Sequence, residues 1–102
     1  MKNNYIVYWA HLKDHKDINK DGYVGITSLS LKERKAGHIK ASRRFSHHFG
    51  KAIKKYKDEI IWDVIHKFIS EEQALELENI YRPKIRIGWN SIKGGDLGVK
   101  PD

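Results

Sequence analysis

The stretch Tyr23–His38, YVGITSLSLKERKAGH, changes from the periodicity of a strand to that of a helix. Its first five residues are β-branched or aromatic apart from one glycine, and they follow an Asp-Gly turn signal, so they predict a strand. Gly25 inside that strand predicts a bulge or the close approach of another backbone. Ser30 and Glu33 form a capping box, which predicts the start of a helix. The stretch therefore predicts a strand, a tight connection and a helix.

The new helix carries Arg34 and His38 four residues apart, so a guanidinium and an imidazole share one face. The surroundings of Arg34 and His38 depend on the segments that precede and follow this stretch. Hydrophobic periodicity and turn signals predict these further elements: strand Tyr5–His11, helix Leu31–Lys40, a second helix marked by Phe45, Phe49, Ala52, Ile53 and Tyr56, strand Glu59–Phe68, and a third helix from the Ser70–Gln73 capping box to Tyr81. The order β-β-α-α-β-α predicts an α/β fold with a small three-stranded, mainly antiparallel sheet and flanking helices.

Composition restricts the possible classes of protein. The 102 residues suit one domain, and the apolar fraction of 39% suits one small core. No apolar run approaches the about 18 residues of a transmembrane helix, so no membrane partner is expected. The absence of cysteine excludes disulfides and thiolate metal sites and favours a cytoplasmic location. The net charge of +7 favours a polyanionic partner, and nucleic acid before membrane.

Two tyrosine-containing triplets on the first two strands are similar to the motifs that name the GIY-YIG nuclease superfamily. Residues 6–8, IVY, match the glycine-isoleucine-tyrosine triplet, with Ile6 in place of the glycine. Residues 23–25, YVG, match the tyrosine-isoleucine-glycine triplet. Both triplets lie on the type of element that the family uses for them.

Further positions continue the resemblance, which covers about residues 5–95. Arg34 and His38 match the arginine and histidine of the family's first helix. Glu78, in the segment ALELE, matches a glutamate on a later helix, and Asn90 matches an asparagine near the end of the domain. Together with the two triplets, these matches form five motifs in order. The resemblance implies a nuclease domain in residues 1–95, followed in residues 96–102 by a tail or the start of a linker.

The resemblance implies a metal-dependent DNA endonuclease that leaves 5′-phosphate and 3′-hydroxyl ends. Arg34 would contact the phosphate through its forked, permanent charge, and Glu78 would bind Mg²⁺ or Mn²⁺, since Mg²⁺ keeps several waters and needs few carboxylates. Tyr8 would act as general base or position the water, provided that a neighbouring Arg, His or metal lowers its pKa from about 10. Tyr23 would hold the water or the phosphate. His38 would hydrogen-bond a tyrosine hydroxyl or take its proton.

Other residues receive supporting roles. Gly25 supports the second strand, and Asn90 is expected to tie its loop to the strands that carry the site. Glu76 is the alternative to Glu78, although two positions along a helix separate their faces. Basic side chains near the predicted site form the predicted DNA track, with a solvated surface as the alternative for some of them: Lys32, Lys35, Arg43, Arg44 and Lys51.

Two other functions remain open at this point. A non-catalytic nucleic-acid-binding module on the same scaffold would be marked by loss of the arginine or the glutamate, and both are present. A structure-specific, repair-type nuclease would apply the same chemistry to a different DNA. Because a domain of this size has little surface for reading bases, target recognition is expected to need an appended or partner DNA-binding domain. The resemblance places such an arrangement among phage and intron-encoded homing endonucleases.

Overall fold

The computed structural model describes residues 3–43, 48–84 and 86–90. The elements are strands β1 (Tyr5–His11), β2 (Tyr23–Thr27) and β3 (Ile61–Ile69), helices α1 (Leu31–Ser42), α2 (His48–Tyr56) and α3 (Glu71–Tyr81), and a 3-10 turn at Lys57–Glu59. The strands form one antiparallel sheet in the order β2-β1-β3. The predicted class, an α/β fold with a three-stranded antiparallel sheet and flanking helices, is confirmed.

Strand β1 lies at the centre of the sheet and is buried on both faces. Val7 packs with Val24 and with Ala74 of α3 on one face, whereas Ala10 packs with Phe49 of α2 on the other. Successive side chains of a strand point to opposite faces, so a central strand between two helical layers is apolar nearly throughout. This burial explains the run YIVYWA in β1.

Both predicted capping boxes are present. The Ser30 hydroxyl accepts from the Glu33 N–H at 3.1 Å, and the Glu33 carboxylate accepts from the Ser30 N–H at 3.2 Å. Ser70 and Gln73 make the same reciprocal pair at 3.1 Å in each direction. Because these contacts are local, they determine where α1 and α3 begin.

Some predicted boundaries are wrong. Helix α1 is two residues longer than predicted and ends at Ser42. The third strand begins at Ile61 rather than Glu59, and it ends one residue later than predicted. The reason is that Lys57 has a φ of 47° and residues 57–59 form a 3-10 turn, which delays the extended conformation.

The predicted place of Phe45 in the second helix and the predicted tail at residues 96–102 fall outside the described residues. In the described part of the chain, helix two begins at His48. No helix within residues 3–43, 48–84 and 86–90 is both long and apolar enough to cross a membrane.

Phe49 joins α2 to the sheet. Its ring is 2% exposed and stacks on the ring of Tyr23, with centroids 4.1 Å apart and 5° between the planes. The edge of the His38 imidazole approaches it at 4.8 Å. Packing of α2 therefore supports two of the predicted site residues.

We expect Phe49→Ala to lower the free energy of unfolding by about 3–5 kcal/mol, because it removes buried apolar surface and leaves a cavity. Urea unfolding followed by far-UV circular dichroism measures this change. Phe68→Ala is the matched control, since the Phe68 ring is 73% exposed; its effect should stay within about 0.5 kcal/mol. Equal losses in the two variants would contradict the assigned role of Phe49.

Candidate active site

The hydroxyl of Tyr8 is the centre of a buried hydrogen-bonded group. Tyr8 is fully buried in β1, and its hydroxyl lies 2.7 Å from His38 Nε2 and accepts from Arg34 Nε at 3.3 Å. Since a guanidinium only donates, the hydroxyl hydrogen is free to donate to an unprotonated Nε2. The four-residue spacing on α1 thus brings two side chains to one oxygen.

Tyr23 supplies a second phenol beside the first. Its ring centroid lies 6.1 Å from that of Tyr8 and 5.2 Å from that of His38. Arg34 interacts with the Tyr23 side chain by charge and by hydrogen bonding, and Tyr8 interacts with it by hydrogen bonding. The structure therefore brings together four of the residues that the sequence assigns to catalysis.

Gly25 provides the space in which the Tyr8 ring ends. A Cβ at this position would overlap the Tyr8 hydroxyl oxygen, and it would lie 2.6 Å from Tyr8 Cζ and 2.8 Å from Tyr23 Cε1. Real Cβ atoms do not approach other heavy atoms so closely. The close approach predicted at Gly25 is therefore correct, but the partner is a side chain rather than another backbone.

Burial controls the protonation of the two phenols. It raises the pKa of Tyr8 well above the ordinary value of 10.0, and Tyr23 raises it further, whereas Arg34 lowers it by less. Burial also raises the pKa of Tyr23, against the effect of Arg34 and with a contribution from Glu78. Loss of hydration penalises a phenolate more than one neighbouring cation favours it. A general-base role for Tyr8 was predicted on the condition that a neighbouring group lowers its pKa. The side chains around Tyr8 do not produce a net lowering of that pKa.

Arg34 keeps its charge in this setting. Burial acts to lower the pKa of its guanidinium, but the interactions with Tyr8 and Tyr23 outweigh burial, and the pKa is raised. The residue as a whole is only partly buried. It is a permanent cation placed next to two neutral phenols.

Glu78, on α3, is the carboxylate that acts on this group. It is half-buried and interacts electrostatically with the Tyr23 phenol, whereas Glu76 is exposed. The described residues contain no group of three or more His, Cys, Asp or Glu that could hold a metal. The donor set still fits Mg²⁺ or Mn²⁺, because a hard carboxylate oxygen suits these ions and waters or phosphate oxygens complete their coordination.

Asn90 pairs with the outer edge of β2. Its side-chain oxygen accepts from the Val24 N–H at 2.9 Å, and its side-chain nitrogen donates to the Val24 carbonyl at 2.9 Å. The amide therefore behaves as a one-residue extension of the sheet, directly beside Tyr23. This is the tie between loop and strand expected of Asn90.

No pattern in the sequence points to Arg82 as a functional residue. Its guanidinium is fully buried at the end of α3 and donates from Nε to Asn90 Oδ1 at 2.8 Å. It follows a helix and precedes Pro83, where a solvated arginine would be the ordinary expectation. The hydrogen-bond acceptors that set Arg82 apart from a solvated arginine belong to segments distant in the sequence, so no local sequence pattern predicts them.

The described part of the predicted DNA track is exposed at Lys32, Lys35, Arg43 and Lys51, and Arg44 lies outside the described residues. Lys35 has a direct link to the site. Its Nζ lies 5.9 Å from the centroid of the Trp62 ring, which in turn stacks on the Tyr8 ring at 6.4 Å.

Comparison of the chain with protein-family models, with curated proteins and with solved structures found no match.

We expect Gly25→Ala to lower the free energy of unfolding by about 1–3 kcal/mol, because the added methyl group collides with the buried Tyr8 ring. Gly37→Ala is the matched control. The nearest atom to a Cβ there is an Arg34 nitrogen at 4.0 Å, and the residue lies within α1. An alanine in a helix is favoured over glycine by about 0.5–1 kcal/mol, so the control should be neutral or stabilised. Thermal unfolding of both variants decides; a stabilised Gly25→Ala would refute the contact.

The raised pKa of Tyr8 should make the fold less stable in alkali. Unfolded Tyr8 ionises near 10.0, whereas folded Tyr8 keeps its proton, so unfolding releases a proton above that pH. The contribution of Tyr8 is fully present below the unfolded pKa and declines as pH rises toward the folded pKa. Urea unfolding at about pH 8 and about pH 11 should therefore show a smaller pH-dependent loss in Tyr8→Phe than in the wild type. Tyr56→Phe is the control. A pH-dependent loss of stability in Tyr8→Phe identical to that of the wild type would argue against a suppressed ionisation of Tyr8.

Proposed function

We propose that the protein is a metal-dependent DNA endonuclease that hydrolyses phosphodiester bonds and leaves 5′-phosphate and 3′-hydroxyl ends. The observation that carries the proposal is the convergence of Tyr8, Tyr23, Arg34 and His38 in one hydrogen-bonded group, with the carboxylate of Glu78 acting on Tyr23. These side chains come from four different elements. The resemblance to the GIY-YIG superfamily supports the reaction class and the polarity of the ends.

The candidate site has an accessible layer and a buried layer. Arg34, Tyr23 and Glu78 are partly exposed, whereas Tyr8 is fully buried and His38 is 8% exposed. A DNA phosphate would therefore meet the accessible layer first. Arg34 would contact its non-bridging oxygens with two N–H groups, which stabilises charge that grows there during attack by water.

Tyr23 would orient the attacking water, and the buried layer would receive the proton. The water proton passes to the Tyr23 hydroxyl, the Tyr23 proton to Tyr8, and the Tyr8 proton to His38 Nε2, which lies 2.7 Å away. The products of this relay are a nucleophilic hydroxide, two neutral phenols and an imidazolium. Because each phenol gives up one proton as it gains another, the relay needs no stable phenolate, in agreement with the raised pKa values of both tyrosines.

Glu78 is the residue that would hold Mg²⁺ or Mn²⁺. When bound, either ion would neutralise charge on the phosphate and on the departing 3′ oxygen. The metal proposal depends on Glu78 rather than Glu76, because Glu78 is half-buried and faces the Tyr23 phenol closely enough to act on its pKa, whereas Glu76 is exposed.

Charge would supply most of the affinity for DNA. The chain has a net charge of +7, and the exposed lysines and arginine on α1, after α1 and on α2 would contact phosphates without reading bases. Target recognition by an appended or partner DNA-binding domain is part of this proposal.

Nicking of supercoiled plasmid tests the proposal. We expect the wild type to nick plasmid in Mg²⁺ and to lose this activity in chelator. Glu78→Gln preserves size and removes the charge, so it should lower the nicking rate by at least about 10²-fold. Glu76→Gln, an exposed position on the same helix, is the matched control and should stay within about twofold of the wild type. End labelling of the products reports the polarity of the cut.

The possible results separate the alternatives. Binding of plasmid without nicking by any form, in Mg²⁺ or Mn²⁺, would replace the endonuclease with a non-catalytic binding module. Nicking of branched DNA alone would favour the repair-type nuclease. A wild-type rate in Glu78→Gln would refute the metal assignment and leave the hydrolysis to be explained by the other residues.

A further inference from the structure

The guanidinium of Arg82 is fully buried, and all five of its N–H groups meet an oxygen acceptor. Three segments of the chain provide these acceptors: the connection between β1 and β2, the end of α3, and the segment 86–90. NH1 donates to the carbonyls of Ile18 and Tyr81, NH2 to the carbonyls of Asp21 at 2.8 Å and Gly22 at 3.0 Å, and Nε to Asn90 Oδ1 at 2.8 Å.

The five acceptors are uncharged, so the cation is held mainly by dipoles. Burial lowers the pKa of Arg82 to about 10, against the attraction of the Asp21 and Asp17 carboxylates. The residue is thus still charged at neutral pH. Desolvating a cation is unfavourable unless its hydrogen bonds are satisfied, and here they are. An apolar side chain would avoid this penalty, but it could not join the three segments.

The network holds the backbone on both sides of Tyr23. On one side, the Gly22 carbonyl accepts from Arg82 and from the Trp89 N–H at 2.8 Å. On the other side, Val24 pairs with the amide of Asn90, whose oxygen also accepts from Arg82. Arg82 therefore holds the backbone before Tyr23 directly, through the Gly22 carbonyl. It holds the backbone after Tyr23 indirectly, through Asn90 and Val24.

The same residue ends the helix that carries Glu78. The Arg82 N–H donates to the Glu78 carbonyl at 2.8 Å, one turn earlier, and the side chain donates to the Tyr81 carbonyl at 2.9 Å. The last turn of α3 and the start of β2 thus share one rigid, planar group. These two places carry the phenol and the carboxylate of the accessible layer.

We propose that Arg82 is a positioning residue that holds the Tyr23 hydroxyl in place relative to the Glu78 carboxylate. Its consequence for catalysis rests on the proposed endonuclease function, whereas its consequence for geometry does not. Lysine cannot substitute, because three donors on one nitrogen cannot reach acceptors spread along the planar fork of a guanidinium. Since Arg82 is buried, its replacement should affect the reaction step and metal binding rather than contact with DNA.

Arg82→Lys tests the geometry without reference to turnover. The Tyr23 ring stacks on Phe49 with centroids 4.1 Å apart, a geometry in which ring currents are expected to shift the Tyr23 resonances, so a displaced Tyr23 should be visible in NMR spectra. We expect these resonances to move and the amides of Val24 and Trp89 to exchange with solvent at least about tenfold faster, while amides paired between β1 and β3 keep their rates. Arg86→Lys, an exposed arginine a few residues away, is the matched control and should change neither.

The same variant tests the site. Titration with Mn²⁺ alone, followed by water proton relaxation, should give a half-saturating concentration raised about 10-fold or more in Arg82→Lys. Nicking should show kcat lowered by about 10–100-fold, with KM for plasmid within about twofold of the wild type. A structural defect without a positioning role would lower the amount of active protein but would leave the Mn²⁺ half-saturation unchanged.

The outcomes are distinguishable. A folded Arg82→Lys with wild-type Tyr23 resonances, amide exchange and Mn²⁺ half-saturation would overturn the proposal. If Arg82→Lys does not fold, Asn90→Ala decides: it removes the oxygen that accepts from Arg82 and the link from that oxygen to the Val24 N–H, so unmoved Tyr23 resonances there would overturn the proposal. A wild type that neither binds Mn²⁺ nor nicks DNA would refute the endonuclease, while the Tyr23 resonances would still test the role of Arg82.

Discussion

The contact between the Tyr8 ring and Gly25 is the constraint on which the site depends. The two residues are register partners on adjacent strands, and the phenol ends in the space that a Cβ at position 25 would occupy. Only because no Cβ fills this space can a side chain on the central strand bring its hydroxyl to α1. His38 and Arg34 then meet that hydroxyl from the helix, and α2 covers the group through Phe49.

The burial that makes the group rigid also limits its chemistry. A phenol in water ionises near pH 10, and a guanidinium beside it favours ionisation. In this core the loss of hydration outweighs the guanidinium, and the pKa of Tyr8 rises. The hydroxyl therefore suits proton transfer to His38 better than action as a stable phenolate. Burial thus makes the group rigid but disfavours the Tyr8 phenolate. The short contact between Tyr8 and His38 resolves this conflict, because the proton can pass to the imidazole without a stable phenolate.

The position of Tyr23 on an edge strand creates a second requirement. Strand β2 is at the edge of the sheet, where unpaired backbone groups weaken the conformation and invite pairing with other chains. Asn90 supplies the missing partner to Val24, and Arg82 holds Asn90. At the other edge of the sheet, Val64 and Phe68 of β3 are exposed. Ordering of the β2 edge is thus linked to the residues proposed for catalysis.

Features that depend on neighbours a few positions apart could be predicted from the sequence. Ser30 with Glu33 predicted the start of α1, and helical spacing placed Arg34 and His38 on one face, because capping and periodicity are local. The direction of the Tyr8 pKa shift and the set of contacts that Arg82 makes arise only in the packed chain. The first is a sum over all the atoms that exclude water from the phenol. The second depends on carbonyls 60 to 64 positions away along the chain, and such contacts exist only once the strands and α3 have packed.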